Sequence, residues 1–162
     1  VEGAGFLLNN EMDDFSSKPN TLNQFNLIGR EANAIEPRKR MLSSMTPTVV
    51  LRDGKPILVT GSPGGSTIIT TVLQVLVNVI DHGMTLSEAV SSPRFHHQWI
   101  PDSITVEADS FSAGTLDALR KKGHLDIRPA RYGLGDANSI MRVDGVLHGV
   151  EDPRTQGGAA GY

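Results

Sequence analysis

Apolar residues are sparse in the first forty positions and dense thereafter. The early stretch is rich in Asn, Asp, Ser and Pro, and its one apolar run is Gly5-Phe6-Leu7-Leu8, followed by Asn9-Asn10-Glu11-Met12-Asp13-Asp14-Phe15. From Lys18 to Gly29, Pro, Asn and Gln surround a single Phe25. That composition predicts an ordered surface loop, and loops of this length often serve as lids. Regular structure is predicted from Thr48 onward. Thr48-Val49-Val50-Leu51 and Ile57-Leu58-Val59-Thr60 flank Arg52-Asp53-Gly54-Lys55, where Asp-Gly supplies the positive φ angles of a hairpin turn. The same device recurs at Asp144-Gly145, between Ser139–Val143 and Val146–Val150. Two such hairpins predict a sheet covered on at least one face.

Between Ser66 and His82 β-branched residues favour a strand, yet Thr67, Thr70, Thr71, Gln74, Asn78 and Asp81 recur at steps of three and four. That spacing predicts a helix with one polar stripe and the rest buried, ended by Gly83. Thr85-Leu86-Ser87-Glu88 forms a capping box for a short helix that must end before Pro93. A third helix is predicted from about Ser112 to Lys122, with its basic last turn stopped at Gly123. No repeat or linker interrupts the pattern, so residues 1–162 read as one domain of the α+β or α/β class.

Composition narrows the possibilities by exclusion. With 162 residues the chain is long enough to bury a core unaided. Charged residues make up 20% and the net charge is −3, which excludes a polybasic nucleic-acid or membrane-surface protein and a disordered acidic tail. The absence of cysteine excludes a disulfide framework, a thiolate nucleophile and any Cys-ligated metal. The longest apolar stretch, Ile68 to Ile80, is too short and too interrupted to span a bilayer. The first residue is Val1 rather than Met, so the chain is expected to begin inside a longer precursor.

Candidate chemistry sits in short segments. In Gly61-Ser62-Pro63-Gly64-Gly65-Ser66, a Gly-Gly pair at a helix start presents backbone N–H groups to an anion, or else forms only a tight turn. No Lys follows in P-loop position, and Ser62 stands one place too early for a nucleophile elbow. Ser43 and Ser44 place two hydroxyls before a strand, where they either cap the loop or hold a carboxylate. Glu11 and Asp14, three apart, either face solvent in a turn or present two carboxylates to one cation. His96 and His97 are adjacent and should point to opposite faces of an extended segment, so packing or hydrogen bonding is favoured over metal binding. Arg38-Lys39-Arg40 reads as a solvated loop.

In order and spacing, residues 5–15, Leu42-Ser43-Ser44-Met45-Thr46-Pro47-Thr48, Gly61–Ser66, Pro93-Arg94-Phe95-His96-His97-Gln98-Trp99, Asp152-Pro153-Arg154 and Ala160-Gly161-Tyr162 resemble the small subunit of γ-glutamyltranspeptidase, also called glutathione hydrolase. The resemblance implies an α+β fold, part of an αββα N-terminal-nucleophile hydrolase sandwich. It implies a precursor that cleaves itself, and a new N-terminal Thr that attacks the γ-glutamyl amide of glutathione or a related compound. The γ-glutamyl-enzyme ester then passes to water or to an acceptor amino acid or peptide. A terminal amine can act as base for its own hydroxyl, so neither His nor Cys is required.

By motif, the resemblance makes Gly64 and Gly65 the oxyanion hole, Ser43 and Ser44 the binders of the substrate α-carboxylate, and Glu11 with Asp14 the holders of its α-ammonium. Phe25 falls in the lid at Pro19–Gly29. The implied partner is the large subunit of the same precursor, and the implied location is periplasmic or extracellular. No cofactor, metal or nucleic acid is implied. Met41 stands where the family usually has Pro. The chain also starts past the position of the nucleophilic Thr, so it is expected to be the C-terminal part of the small subunit and inactive alone. The competing readings are a non-catalytic domain of the same fold, or an amidase of the β-lactam acylase or capsule depolymerase type.

Overall fold

The computed structural model describes residues 3–161, so Val1 and Tyr162 lie outside the described residues. The chain groups into two compact units, Val1–Ser43 and Ser44–Tyr162. No linker composition marks the division at Ser43, which is why the sequence reads as one domain. In the first unit two short 3₁₀ turns, Glu11–Asp14 and Glu31–Asn33, are the regular elements. The stretch is held instead by polar bonds: the Ser16 N–H donates to Asn33 O at 2.9 Å, and Asn20 N–H donates to Gly29 O at 2.7 Å. Ser16 is buried directly against the Gly29 backbone, and a Cβ on Gly29 would overlap the Ser16 hydroxyl. This glycine at the base of the 19–29 loop is needed for close approach, not for an unusual φ.

The second unit is α+β. Strands β1 (Thr48–Arg52) and β2 (Lys55–Thr60) form the first expected hairpin, and β6 (Ser139–Val143) and β7 (Val146–Val150) form the second. Asp53 and Gly54 turn at φ 52° and 75°, and Asp144 and Gly145 at 49° and 85°, the left-handed pair that a two-residue hairpin demands. Joined through β2 and β6, they make one sheet in the order β1-β2-β6-β7. The residue pattern does not predict the strands of a second sheet: β3 (Phe95–His96), β4 (Ile104–Val106) and β5 (Ile127–Pro129) pair in that order, β3 antiparallel and β5 parallel to β4. These strands are only two or three residues long, below the length at which alternation can be read. The β4–β5 crossover is carried by helix α3 (Ala113–Lys121), capped by Ser112 and followed by Gly123 at φ 103°.

Helix α1 (Thr67–Ile80) and helix α2 (Leu86–Ser91) share a core with the four-stranded sheet. Leu58, Val75, Leu86, Val90 and Ala137 form its buried centre, flanked by Val50, Leu76, Val79, Met141 and Val150. The Thr85–Glu88 capping box is complete, with bonds in both directions. Side chains alternate across the sheet, so the row Val50, Leu58, Met141 turns to the helices while the adjacent row Val49, Val59, Ile140 stays exposed.

The facing of α1 corrects the sequence reading. Thr71 is 1% exposed, whereas Ile69 and Leu73 are 50% and 55% exposed. Within the polar stripe Thr70 and Gln74 face protein because they have protein partners, whereas Asp81 is exposed. Gln74 Nε2 donates to Phe95 O at 2.9 Å, and Thr70 Oγ1 lies 2.8 Å from His96 Nδ1. Hydrogen bonding to a neighbouring strand, together with burial of Ile68, Val72 and Val75, orients this helix.

Candidate active site

The turn between β2 and α1 is built on two glycines with positive φ, Gly64 at 135° and Gly65 at 57°. The first value lies where side chains are excluded, and a Cβ there would stand 2.5 Å from Thr67 Oγ1. Thr67 donates to Gly64 O through both its N–H, at 3.2 Å, and its hydroxyl, at 2.8 Å; Ile68 N–H reaches Gly65 O at 3.3 Å. The ladder of α1 therefore starts with these bonds, and the N–H groups of Gly64, Gly65 and Ser66 stand ahead of it. Three such amides at the positive end of a 14-residue helix can bind an oxygen that carries negative charge.

Ser62 holds one side of this turn. Its hydroxyl donates to Pro63 O at 2.7 Å and accepts from Asp136 N–H at 2.9 Å. Gly135, at φ 75°, presses its backbone against Ser62 and Thr71, where a Cβ would meet both hydroxyl oxygens at 2.6–2.7 Å. The 133–137 loop is in turn fixed by a buried ionic cluster that sequence reasoning did not find.

In that cluster Arg94 and Asp152, 1% and 0% exposed, pair at 2.7 Å, and Arg154 bridges Asp152 and Glu107. Arg94 donates to Leu134 O at 2.8 Å, Glu107 accepts from Leu134 N–H at 3.0 Å, and Asp152 accepts from Ala137 N–H at 2.6 Å. Arg154 also donates to Val90 O and Ser92 O at the end of α2. Burial alone would raise the Glu107 and Asp152 carboxyls. Arg154 and the Leu134 and Arg94 amides outweigh it at Glu107, as the Ala137 and Arg154 amides with Arg94 do at Asp152, and both lie below their ordinary values. Burial lowers the Arg94 guanidinium, and its Nε is a buried donor without a partner among the described residues. The signal available in the sequence was two arginines, each next to a proline, within the segments at 93–99 and 152–154; their pairing was not readable from it.

Glu11 and Asp14 share one 3₁₀ turn, and neither carboxylate has an ion-pair partner among the described residues. Asn33, also missed from sequence, donates to Asp14 O at 2.7 Å and accepts from Leu42 N–H at 2.8 Å, so it ties this turn to the backbone entering Ser43. Ser43 closes the first unit and Ser44 opens the second, with Ser44 O accepting from Thr46 Oγ1 at 2.9 Å. Phe25 is half-buried in a loop organised by Asn23, whose side-chain oxygen accepts from the N–H groups of Phe25 and Leu27 at 2.9 and 3.0 Å. His96 and His97 do take different partners, Thr70 and Gln98 for the first and Asp102 for the second.

The family profile described as gamma-glutamyltranspeptidase matches residues 1–162. The glutathione hydrolase proenzyme of Escherichia coli (strain K12) is 54% identical over 153 residues, covering 94% of this chain and 26% of the relative. The chain thus spans about a quarter of the length of that curated relative. Among solved structures, an acivicin-inhibited gamma-glutamyltranspeptidase superposes with a TM-score of 0.88 at 54% identity, over 96% of this chain and 84% of the other. The gamma-glutamyltranspeptidase of Pseudomonas nitroreducens complexed with L-DON gives 0.90 at 46% identity, over 100% and 84%. Among the described residues no helix is long and apolar enough to cross a membrane.

Proposed function

The chain belongs to the γ-glutamyltranspeptidase family, and on that premise we propose that it carries the oxyanion and substrate-binding part of an enzyme that hydrolyses or transfers γ-glutamyl groups. The substrates are glutathione and other γ-glutamyl amides, and the acceptors are water, amino acids or peptides. The complete protein pairs this chain with a large subunit from the same precursor and works in the periplasm or outside the cell. The observation that supports this reading best is the Gly64-Gly65 turn, whose amides stand free of the α1 ladder at the helix's positive end.

In this reading a hydroxyl oxygen attacks the γ-carbonyl carbon, and the carbonyl electron pair moves onto its oxygen. The Gly64 and Gly65 N–H groups receive that oxyanion. They contribute to rate because the charge they meet develops only in the tetrahedral intermediate. Its collapse breaks the C–N bond, the amine leaves with the proton that the attacking hydroxyl gave up, and the γ-glutamyl ester remains for water or an acceptor amine. Asp14 and Glu11 hold the α-ammonium, Ser43 and Ser44 hold the α-carboxylate, and Phe25 sits on the lid. Reading both groups of one amino acid selects a glutamyl residue linked through its γ-carbon.

Asp14→Ala in the full-length enzyme is expected to raise KM for a γ-glutamyl anilide by roughly 10- to 100-fold, the scale of losing one hydrogen bond to a charged group. The turnover number should change much less, since the ammonium is bound equally in ground and transition states. Steady-state kinetics decide it: an unchanged KM removes Asp14 from the site.

A further inference from the structure

The Pro93–Trp99 segment has no task in the reaction just described, yet its side chains reach the head of α1. We propose that His96 and Gln98 are positioning residues for the oxyanion donors, acting through Ser66; the proposal rests on the oxyanion reading of Gly64 and Gly65. Ser66 occupies the N-cap of α1 but does not cap it: its backbone is helical at φ −65° and ψ −22°, and its side chain makes no capping bond. A serine in this position ordinarily adopts an extended backbone and turns its oxygen back to its own helix. Here the hydroxyl is engaged elsewhere, donating to Gln98 Oε1 at 2.7 Å.

The orientation of Gln98 follows from its other bond. Its Nε2 donates to Ile100 O at 3.0 Å, so Oε1 faces Ser66 and the His96 ring, whose Nε2 lies 2.9 Å away. That oxygen only accepts, so His96 Nε2 carries a proton. His96 Nδ1 lies 2.8 Å from Thr70 Oγ1, and the residue is 8% exposed. Ser66 and Thr70 are one helical turn apart, so the chain Ser66–Gln98–His96–Thr70 leaves α1 and returns to it. Gln74 anchors the strand beneath by pairing both ways with the Phe95 backbone, accepting from its N–H at 3.1 Å and donating to its carbonyl. This closed brace keeps Ser66 in its helical conformation. Without it Ser66 loses the bond that ties it to the Pro93–Trp99 segment, and rotation of its backbone carries the preceding Gly65 and Gly64 amides out of line.

The test is made on the processed two-subunit enzyme with a γ-glutamyl anilide, measuring kcat, KM and the thermal midpoint. Gln98→Leu, Ser66→Ala and His96→Asn are each expected to lower kcat about tenfold, less than outright loss of an oxyanion donor, with KM within about twofold. His96→Gln, whose amide nitrogen replaces the Nε2 donor, should keep kcat within about threefold of wild type. The Ser66→Ala, Gln98→Leu double variant should be no slower than the slower single variant, because both cut the same chain. Ser66→Ala removes one oxygen and decides the matter if a larger change does not fold. The proposal is overturned if Gln98→Leu and Ser66→Ala keep wild-type kcat while Gly64→Ala loses its own. It is also overturned if His96→Asn and His96→Gln lose activity equally and in step with the thermal midpoint. If Gly64→Ala itself keeps wild-type kcat, the oxyanion reading fails and the positioning role falls with it.

Discussion

Asp152→Ala is expected to destabilise the protein by about 3–5 kcal/mol, the scale for breaking a buried ion pair from one side. Asp152 is fully buried and balances two guanidiniums, Arg94 at 2.7 Å and Arg154 at 3.1 Å. Removing its carboxylate leaves Arg94, itself 1% exposed, as a charge without a counter-ion, and strips the Ala137 N–H of its acceptor. The cost lies in what remains unpaired and not in the Coulomb attraction lost, since forming such a pair must first overcome the desolvation of both ions. Replacing both partners, as in Arg94→Met with Asp152→Leu, should therefore cost less than the sum of the single changes. It will not be neutral, because Val90 O and Leu134 O each lose an Arg94 donor. Urea unfolding of the four proteins of this cycle gives the coupling directly. A loss below about 1 kcal/mol for Asp152→Ala would show that the cluster is better solvated than its burial indicates.

The same cluster sets an acid limit. Glu107 and Asp152 are held below their ordinary values of 4.5 and 3.8, so the folded state binds fewer protons than the unfolded state in this range. Their contribution is complete above those ordinary values and is lost as pH falls through the lower folded ones. Wild-type stability should fall on acidification below about pH 4.5 more steeply than that of Asp152→Asn, whose baseline is already low. Equal acid slopes would assign the loss to other carboxylates.

What the sequence disclosed and what it withheld divide along physical lines. Features specified by neighbouring residues were legible. Asp53-Gly54 and Asp144-Gly145 announce their turns by backbone conformation, Thr85 and Glu88 announce a helix start, and Gly123 announces a stop. The Gly64-Gly65 turn was legible for the same reason, because its anion-binding capacity is a property of the backbone at a helix head. Features that depend on partners remote along the chain were not. Glu107 and Arg154 meet across 47 residues, and nothing near either marks the other. The facing of α1 failed similarly: Thr70 and Gln74 were read as solvent-facing, but a strand some twenty residues on satisfies them. Ser66 combines both cases, a cap residue by position whose cap is overridden by Gln98.

Gly64→Ala is expected to reduce kcat for a γ-glutamyl anilide by about 10²-fold, the scale of losing one oxyanion donor, while KM stays close to wild type. The effect is steric first and electrostatic second. At φ 135° an alanine is strained, and its Cβ would stand 2.5 Å from Thr67 Oγ1, so the backbone must rotate. Thr67 anchors the Gly64 carbonyl by two bonds, and any rotation that relieves the clash swings the adjoining amides away from the developing oxyanion. Gly65 supplies the internal comparison. Its φ of 57° lies in the left-handed region that Asn enters readily and Val does not, so Gly65→Asn should retain far more activity than Gly65→Val. Substrate binding should suffer little in any of these variants, because the neutral carbonyl of the ground state gains little from the same donors. The opposite pattern, a raised KM with kcat maintained in Gly64→Ala, would make the glycine turn a wall of the binding pocket and place the oxyanion donors elsewhere.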